Sequence, residues 1–199
     1  MKSQVMVASL FSLSLLSVAV SAAAPEWNLV ELSYAKADID DADGISPAGF
    51  NLSGSALLGD SVFLKGDFTS LSDDFQVLGE SVDVDLDWFS AGLGYRYAVS
   101  GQTDLYGIVS YESFELKASL DGESESGDDN GYGLTVGVRS MLTGQLELDG
   151  SISYIDIDES ETLYRLGANY YFTPQLSVGA SYRAADDFDI WYLGGRFTF

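Results

Sequence analysis

Residues 162–185 read TLYRLGANYYFTPQLSVGASYRAA, and their alternation decides the fold. Tyr164, Leu166, Ala168 and Tyr170 form an apolar row, with Arg165, Gly167 and Asn169 between them. After Thr173-Pro174-Gln175 the alternation resumes, with Leu176, Val178, Ala180 and Tyr182 set against Ser177, Gly179, Ser181 and Arg183. Side chains that change face every residue belong to a strand. Two such runs joined by a short turn make an antiparallel hairpin.

The same pattern extends outward from this hairpin over most of the chain. Ten segments carry it: 27–37, 48–58, 61–69, 84–97, 104–116, 131–141, 145–155, 162–172, 175–185 and 188–199. The segment 61–69 is the weakest, and eight strands is the alternative to ten. One parity of each segment is greasy, as in Val30, Leu32, Tyr34 or Tyr132, Leu134, Val136, Val138. The other parity carries Ser, Thr, Gly, Asn and charge, and includes all five arginines and Lys65.

Alternation alone fits two architectures. In a soluble sheet the apolar row faces a core. In a transmembrane barrel it faces lipid and the polar row faces the lumen. Three features select the barrel. Connections alternate in length: those after the second, fourth, sixth and eighth segments are short, while those after the first, third and fifth are long and polar. Short turns at one end and longer loops at the other are the asymmetry of such barrels. Acid is sorted by end: 22 of the 31 acidic residues sit in or flank the long-side connections, whereas the short-turn side holds Asp60 and Asp104. Aromatic residues gather near strand ends. Tyr95, Tyr97, Tyr170, Tyr171, Phe172, Phe197 and Phe199 lie at one end, and Tyr111, Phe114, Tyr154, Tyr164, Tyr182 and Trp191 toward the other. Two such girdles are expected where a barrel meets both headgroup layers.

The N-terminus has a different composition. Lys2, an apolar run from Val5 to Val20, and the small residues Ser21-Ala22-Ala23-Ala24 read as a secretory signal peptide. Residues 1–22 are the expected leader, and 23–199 the expected barrel domain. Removing Lys2 leaves eight basic residues against 31 acidic ones. So acidic a chain is a poor partner for nucleic acid. There is no cysteine, so an exported chain must rely on backbone pairing and packing. After residue 24 no apolar run reaches the ~20 residues of a spanning helix. A membrane could be crossed only by strands, and unpaired backbone in hydrocarbon is costly enough that the sheet must close. The expected fold is all-β: a closed, antiparallel, up-and-down transmembrane β-barrel of ten strands, with both termini at the short-turn end.

The last segment, FDIWYLGGRFTF, places Trp191, Leu193, Phe197 and Phe199 on one parity and ends on an aromatic residue. It resembles the C-terminal signal of outer-membrane proteins, which implies recognition by the barrel-assembly machinery. With FSAGLGYRY and LYRLGANYYF, the whole stretch after the leader resembles the small Gram-negative outer-membrane β-barrel families, OmpX-like and OmpA-like in architecture. The resemblance implies a location in the cell outer membrane, contact with lipid and lipopolysaccharide, and no separate peptidoglycan-binding domain. It also implies that enzymatic barrels generally use a catalytic histidine. This chain has no histidine, so no enzyme activity, catalytic residue or cofactor is expected.

The candidate functional residues are the charges on the lumen parity. Arg139 and Glu147 flank the turn LTGQ nearly symmetrically, and closure should bring Glu31 beside Arg196. With Lys65, Asp67, Arg96, Glu112, Asp149, Arg165 and Arg183 they are expected to form a charged network filling the barrel, because buried charge is tolerated when paired. Barrels of this size have interiors roughly filled by side chains. The expected role is therefore structural or surface-interacting, with acidic extracellular loops and a polar, plugged lumen; the alternative is a narrow, cation-preferring porin. The loops could attract divalent cations. DIDDADG at 38–44 fails as a calcium loop, since an EF-hand register would place Ile39 and Phe50 at its first and twelfth positions. No metal site is expected.

Overall fold

The computed structural model describes residues 24–39, 46–77, 80–120 and 123–199. The expected leader and most of DIDDADG lie outside them. Ten strands run in sequence order: β1 (Leu29–Ile39), β2 (Ala48–Leu57), β3 (Val62–Val77), β4 (Glu80–Ala98), β5 (Thr103–Leu120), β6 (Glu123–Met141), β7 (Leu146–Asp156), β8 (Ser160–Tyr171), β9 (Leu176–Ala184) and β10 (Phe188–Thr198). Each is antiparallel to its sequence neighbours. β1 also pairs with β10, from Leu29↔Thr198 to Ile39↔Phe188, and closes the barrel. The count is ten, and the segment around 61–69 is a full strand that continues to Val77.

Four short turns join β2–β3, β4–β5, β6–β7 and β8–β9 at one end. Each closes on a backbone bond, such as Leu142 N–H to Leu146 O at 2.8 Å and Phe172 N–H to Leu176 O at 2.9 Å. Thr143 and Thr173 occupy matching places, each Oγ1 accepting two backbone N–H groups of its turn. In the β2–β3 turn, Gly59 adopts φ = 92°, a conformation that glycine reaches without steric cost.

The opposite end differs from the sequence expectation. The long polar connections expected after the third and fifth strands are mostly paired strand. β3–β4 remain in register to Val77↔Glu80, and β5–β6 to Leu120↔Glu123. β2 stops pairing at Ser72 and β7 at Tyr132, so these two hairpins rise past their neighbours as a four-stranded sheet. The outer face of this extension lies in water and is polar, which erases the outward greasy row used to mark strand limits.

The expected outward rows do face outward: Leu32, Leu93, Val136, Leu166, Leu193 and their neighbours are exposed. On the hairpin side this band ends in a ring. Each strand contributes one outward aromatic residue: Tyr34, Phe50, Phe68, Phe89, Tyr111, Tyr132, Tyr154, Tyr164, Tyr182 and Trp191. Tyr34 opposes Phe50, Phe68 opposes Phe89, Tyr111 opposes Tyr132, and Trp191 opposes Tyr182 across the ladders. Such a ring is expected where lipid gives way to headgroups. Two assignments change. Phe114 and Tyr171 are on the lumen parity and belong to no girdle.

Beyond the ring the polarity of the wall inverts. On β4 the outward residues become Asp83, Asp85 and Asp87, while Leu86 and Trp88 turn inward. On β10 Asp189 is outward-facing in parity and Ile190 is buried. Apolar-out in lipid and apolar-in within water are the same hydrophobic effect acting in two solvents.

Candidate functional site in the barrel lumen

From the turn end upward, the lumen is built in three levels. The lowest is aromatic and ionic. Trp27 precedes β1 and folds under the barrel, its ring 4.4 Å from Phe63 and 5.3 Å from Tyr106, centre to centre. Gly94 and Gly137 make room: a Cβ at either would collide with the rings of Phe63 and Tyr106 respectively. The Trp27 indole N–H donates to Asp104 Oδ2 at 2.7 Å, and Arg96 Nη1 donates to the same oxygen at 3.0 Å. Arg139 lies over the Trp27 ring at 4.6 Å.

Glu147 is the centre of this level and is 0% exposed. Arg139 donates to both its oxygens, through Nη2 at 2.9 Å each and Nε at 3.3 Å. Arg196 Nη1 donates to Oε1 at 2.7 Å, and the Tyr171 hydroxyl to Oε2 at 3.4 Å. Arg196 then reaches Glu31, Nε to Oε2 at 2.9 Å. Arg139, Glu147, Arg196 and Glu31 thus form one chain of contacts across β6, β7, β10 and β1. Arg139 opposes Asp149 in register, yet its guanidinium bonds diagonally to Glu147.

The middle level is looser. Arg165 lies 3.8 Å from Asp149 and donates to Ser181 at 3.2 Å. Asn51 donates to Asp67 at 3.0 Å and Thr69 at 2.9 Å. Glu112 has no salt-bridge partner among the described residues: it accepts from the Trp88 indole N–H at 2.9 Å and from the Ser90 and Ser110 hydroxyls at 2.9 and 2.5 Å. Two small cavities, about 70 and 40 Å³, adjoin Lys65, Tyr106, Ile108 and Arg165. They are sized for a few water molecules.

The upper level is apolar. Ala35, Ala37, Leu71, Ile190 and Tyr192 pack on one side, and Trp88, Ile155 and Leu163 on the other. Arg183 is sandwiched between them, its guanidinium 4.8 Å from the Trp88 ring and 5.4 Å from the Tyr192 ring. Above lies a cleft rimmed by Asp129, Asp158, Glu159 and Glu161. Partial burial, then the nearby charges of Asp187, Asp186 and Glu159, holds the Glu161 carboxyl above its ordinary range.

Every charged residue assigned to the lumen from sequence is on an inward parity. Hydrogen bonds and ion pairs group them as the four-residue chain at the bottom, the Arg96–Asp104 pair, the Arg165–Asp149 contact, the Asn51–Asp67 bond and the Glu112 cluster, and the charges of Arg139, Arg165, Arg196 and Lys65 all act on Asp149. Sequence reasoning missed Asp104, taken as part of a turn, and the inward apolar residues Trp27, Phe63, Trp88, Ile108 and Leu163. Trp191, Leu193, Phe197 and Phe199 all project from the outer face of the last strand. Among the described residues, no group of three or more acidic residues is arranged to hold a metal ion.

Comparison with known proteins places this architecture. Residues 8–165 match the family model described as the outer membrane protein beta-barrel domain. Among solved structures, the NanC porin superposes with a TM-score of 0.54 at 8% identity, covering 85% of this chain and 100% of that one. Ail, the attachment invasion locus protein of Yersinia pestis, in complex with the heparin analogue sucrose octasulfate, gives a TM-score of 0.51 at 19% identity, covering 86% and 97%. The KdgM porin in complex with disordered oligogalacturonate gives 0.50 at 10% identity, covering 85% and 99%. At these identities the likeness is one of fold. No curated protein matches the sequence.

Proposed function

The chain belongs to the outer-membrane β-barrel protein family, and from that premise we propose that it is a non-conducting barrel that holds an acidic sheet above the outer membrane. Even strand number and short turns put both ends of the barrel chain on the periplasmic side. The β3–β6 extension then faces outward. Its role is structural and surface-interacting, and with no histidine or cysteine to serve as base or nucleophile the reading assigns it no catalysis.

The observation that carries the reading is Glu147, clamped by Arg139 and Arg196 beneath the Trp27–Phe63–Tyr106 cluster. A pore needs continuous water. Here ion-paired side chains occupy one level and Leu71, Trp88, Leu163 and Ile190 another. Reconstitution in planar bilayers tests it: the expected trace is flat, and stable single-channel steps would refute it. The second reading is a narrow cation-preferring pore, favoured by the acidic rim at Asp158, Glu159 and Glu161. Against it, Lys65, Arg96, Arg139, Arg165, Arg183 and Arg196 balance Glu31, Asp67, Asp104, Glu112, Glu147 and Asp149 within the lumen. An interior without net charge gives cations no advantage.

Two partner classes belong to the same proposal. The exposed row Trp191, Leu193, Phe197 and Phe199 suits recognition by the barrel-assembly machinery before lipid covers it. The outward carboxylates suit divalent cations that bridge to anionic lipopolysaccharide. Asp83, for example, is held above its ordinary value by hydrogen bonding to Asp74. Replacing Phe199 and Phe197 by Ser should slow insertion in cells without changing the stability of the refolded protein by an equal measure; unchanged insertion would remove the first partner.

A further inference from the structure

The cleft above the upper apolar level has a volume of about 360 Å³, within the range of small-molecule sites. Its floor is greasy: Trp88 from β4, Phe114 from β5 and Leu163 from β8. Its rim is anionic: Asp129 from β6, Asp158 and Glu159 from the β7–β8 connection, and Glu161 from β8. None of these four carboxylates has a salt-bridge partner among the described residues. Lys117, which does not line the cleft, is engaged by Glu115 at 3.0 Å, and Arg183 lies on the Trp88 ring.

Four like charges gather around an apolar floor, and no lysine or arginine among the described residues lines the cleft. The cleft repels anions. A bare divalent ion would be ligated by oxygen alone and would leave the aromatic floor unused. A neutral apolar molecule would leave the charges uncompensated. What complements both surfaces is a molecule with a positive head and an apolar body, whose charge is also attracted to aromatic faces. We propose that this cleft is a binding site for a small amphipathic organic cation, an aromatic or alkyl ammonium, on the outer side of the barrel. The site lies above Trp88 and does not depend on whether the lumen conducts.

The three tryptophans make the test direct. Trp88 is in the floor, with its indole N–H on Glu112. Trp27 lies at the far end of the lumen on Asp104, and Trp191 faces lipid. The protein, ¹⁵N-labelled in phosphatidylcholine nanodiscs, is titrated with benzyltrimethylammonium while the indole N–H signals are followed. The expected result is a saturable shift of the Trp88 signal with Trp27 unmoved. Benzyl alcohol and 3-phenylpropionate should not reproduce it. Glu159→Gln/Glu161→Gln should weaken apparent affinity about two- to tenfold, as expected for two solvent-screened ion pairs. Asp74→Asn/Asp83→Asn, the same charge change on the β3–β4 hairpin, should leave it unaltered. Should the first double variant fail to fold, salt on the unaltered protein gives the same reading, since the attraction must weaken as ionic strength rises. A Trp88 shift that fails to saturate, that benzyl alcohol matches, or that ignores salt and rim charge would overturn the proposal. So would a response confined to Trp191.

Discussion

Glu147→Gln isolates the ionic contribution of the lumen. The substitution keeps the side chain's shape and removes its charge. Arg139 loses the carboxylate that takes three of its bonds and retains its seat over Trp27. Arg196 loses its 2.7 Å contact but keeps Glu31 at 2.9 Å. Removing one member of a buried pair costs about 3–5 kcal/mol, because the survivor stays buried and uncompensated. The amide oxygen still accepts one bond, and Glu31 still neutralises Arg196, so we place the loss at the lower end, about 3 kcal/mol. With an m-value of about 1–3 kcal/mol/M in urea, the unfolding midpoint should fall by about 1–3 M. The assay is equilibrium urea unfolding of the barrel in phosphatidylcholine vesicles, followed by tryptophan emission. Arg139→Met/Glu147→Gln removes the stranded charge and should recover at least half the loss. A single variant within about 0.5 kcal/mol of the parent, as at an exposed pair, would refute the reasoning. So would a double variant whose loss is the sum of its parts, since additivity marks sites that do not interact.

Other expectations follow from the same geometry. Leu166 is 68% exposed in the middle of the lipid-facing band, so Leu166→Arg should cost about 2–4 kcal/mol in vesicle unfolding; a neutral result would put that face against something other than lipid. Asp104→Ala strands the Trp27 indole and Arg96 together, and should lower stability by about 1–3 kcal/mol while shifting Trp27 emission; no change in either would remove Asp104 from the lower level. Glu161 has its carboxyl raised in the folded state, so between its unfolded value and the raised one the native protein binds more protons than the unfolded chain. Stability should therefore fall as pH rises through that window, and the penalty should be absent below it. Glu161→Gln should stabilise the protein at pH 7 and make no difference near pH 3.5; the opposite pH dependence in urea unfolding would contradict the assigned causes.

Much of this was legible without coordinates. The outward rows are long, monotonous and separated by turn signals, so strand number and the lipid face follow from parity. The arginines were legible because a guanidinium has nowhere else to go on such a wall. The pairs Arg139–Glu147 and Glu31–Arg196 were legible because a short turn and closure each set a register. The extent of β3–β6 was not. Above the membrane the outward face is wet and no longer greasy, and the stretches SLSDDFQV and ESESGDDN read as loop although their backbones pair. The inward apolar residues were also missed, because one clear row makes an opposite-parity Phe63 or Ile108 look like noise.

A signal for the missed residues does exist, and it lies where parity breaks. Tyr34-Ala35, Trp88-Phe89, Tyr154-Ile155, Leu163-Tyr164 and Ile190-Trp191 are adjacent apolar pairs within otherwise alternating strands. In each, the outward member is the last residue of the lipid band and the inward member packs in the upper level or beside it. A strand passing from lipid into water must exchange its greasy face, because the apolar side that was stable outward becomes costly there and the lumen side becomes the dry one. The exchange takes one residue, and its trace is an apolar doublet. Five strands carry it at one level of the wall. Doublets also occur lower in the wall, as at Phe63-Leu64 and Ile108-Val109, so the border is marked by a doublet whose next outward residue is polar, as with Lys36, Asp87, Asp156, Thr162 and Asp189, and beyond it the meaning of alternation reverses. Read so, VDVDLDWF at 82–89 gives Val82, Val84, Leu86 and Trp88 as an inward row and Asp83, Asp85 and Asp87 as an outward one. That assignment places Trp88, in the floor of the mouth cleft, at the end of the inward row and Phe89 at the edge of the lipid band.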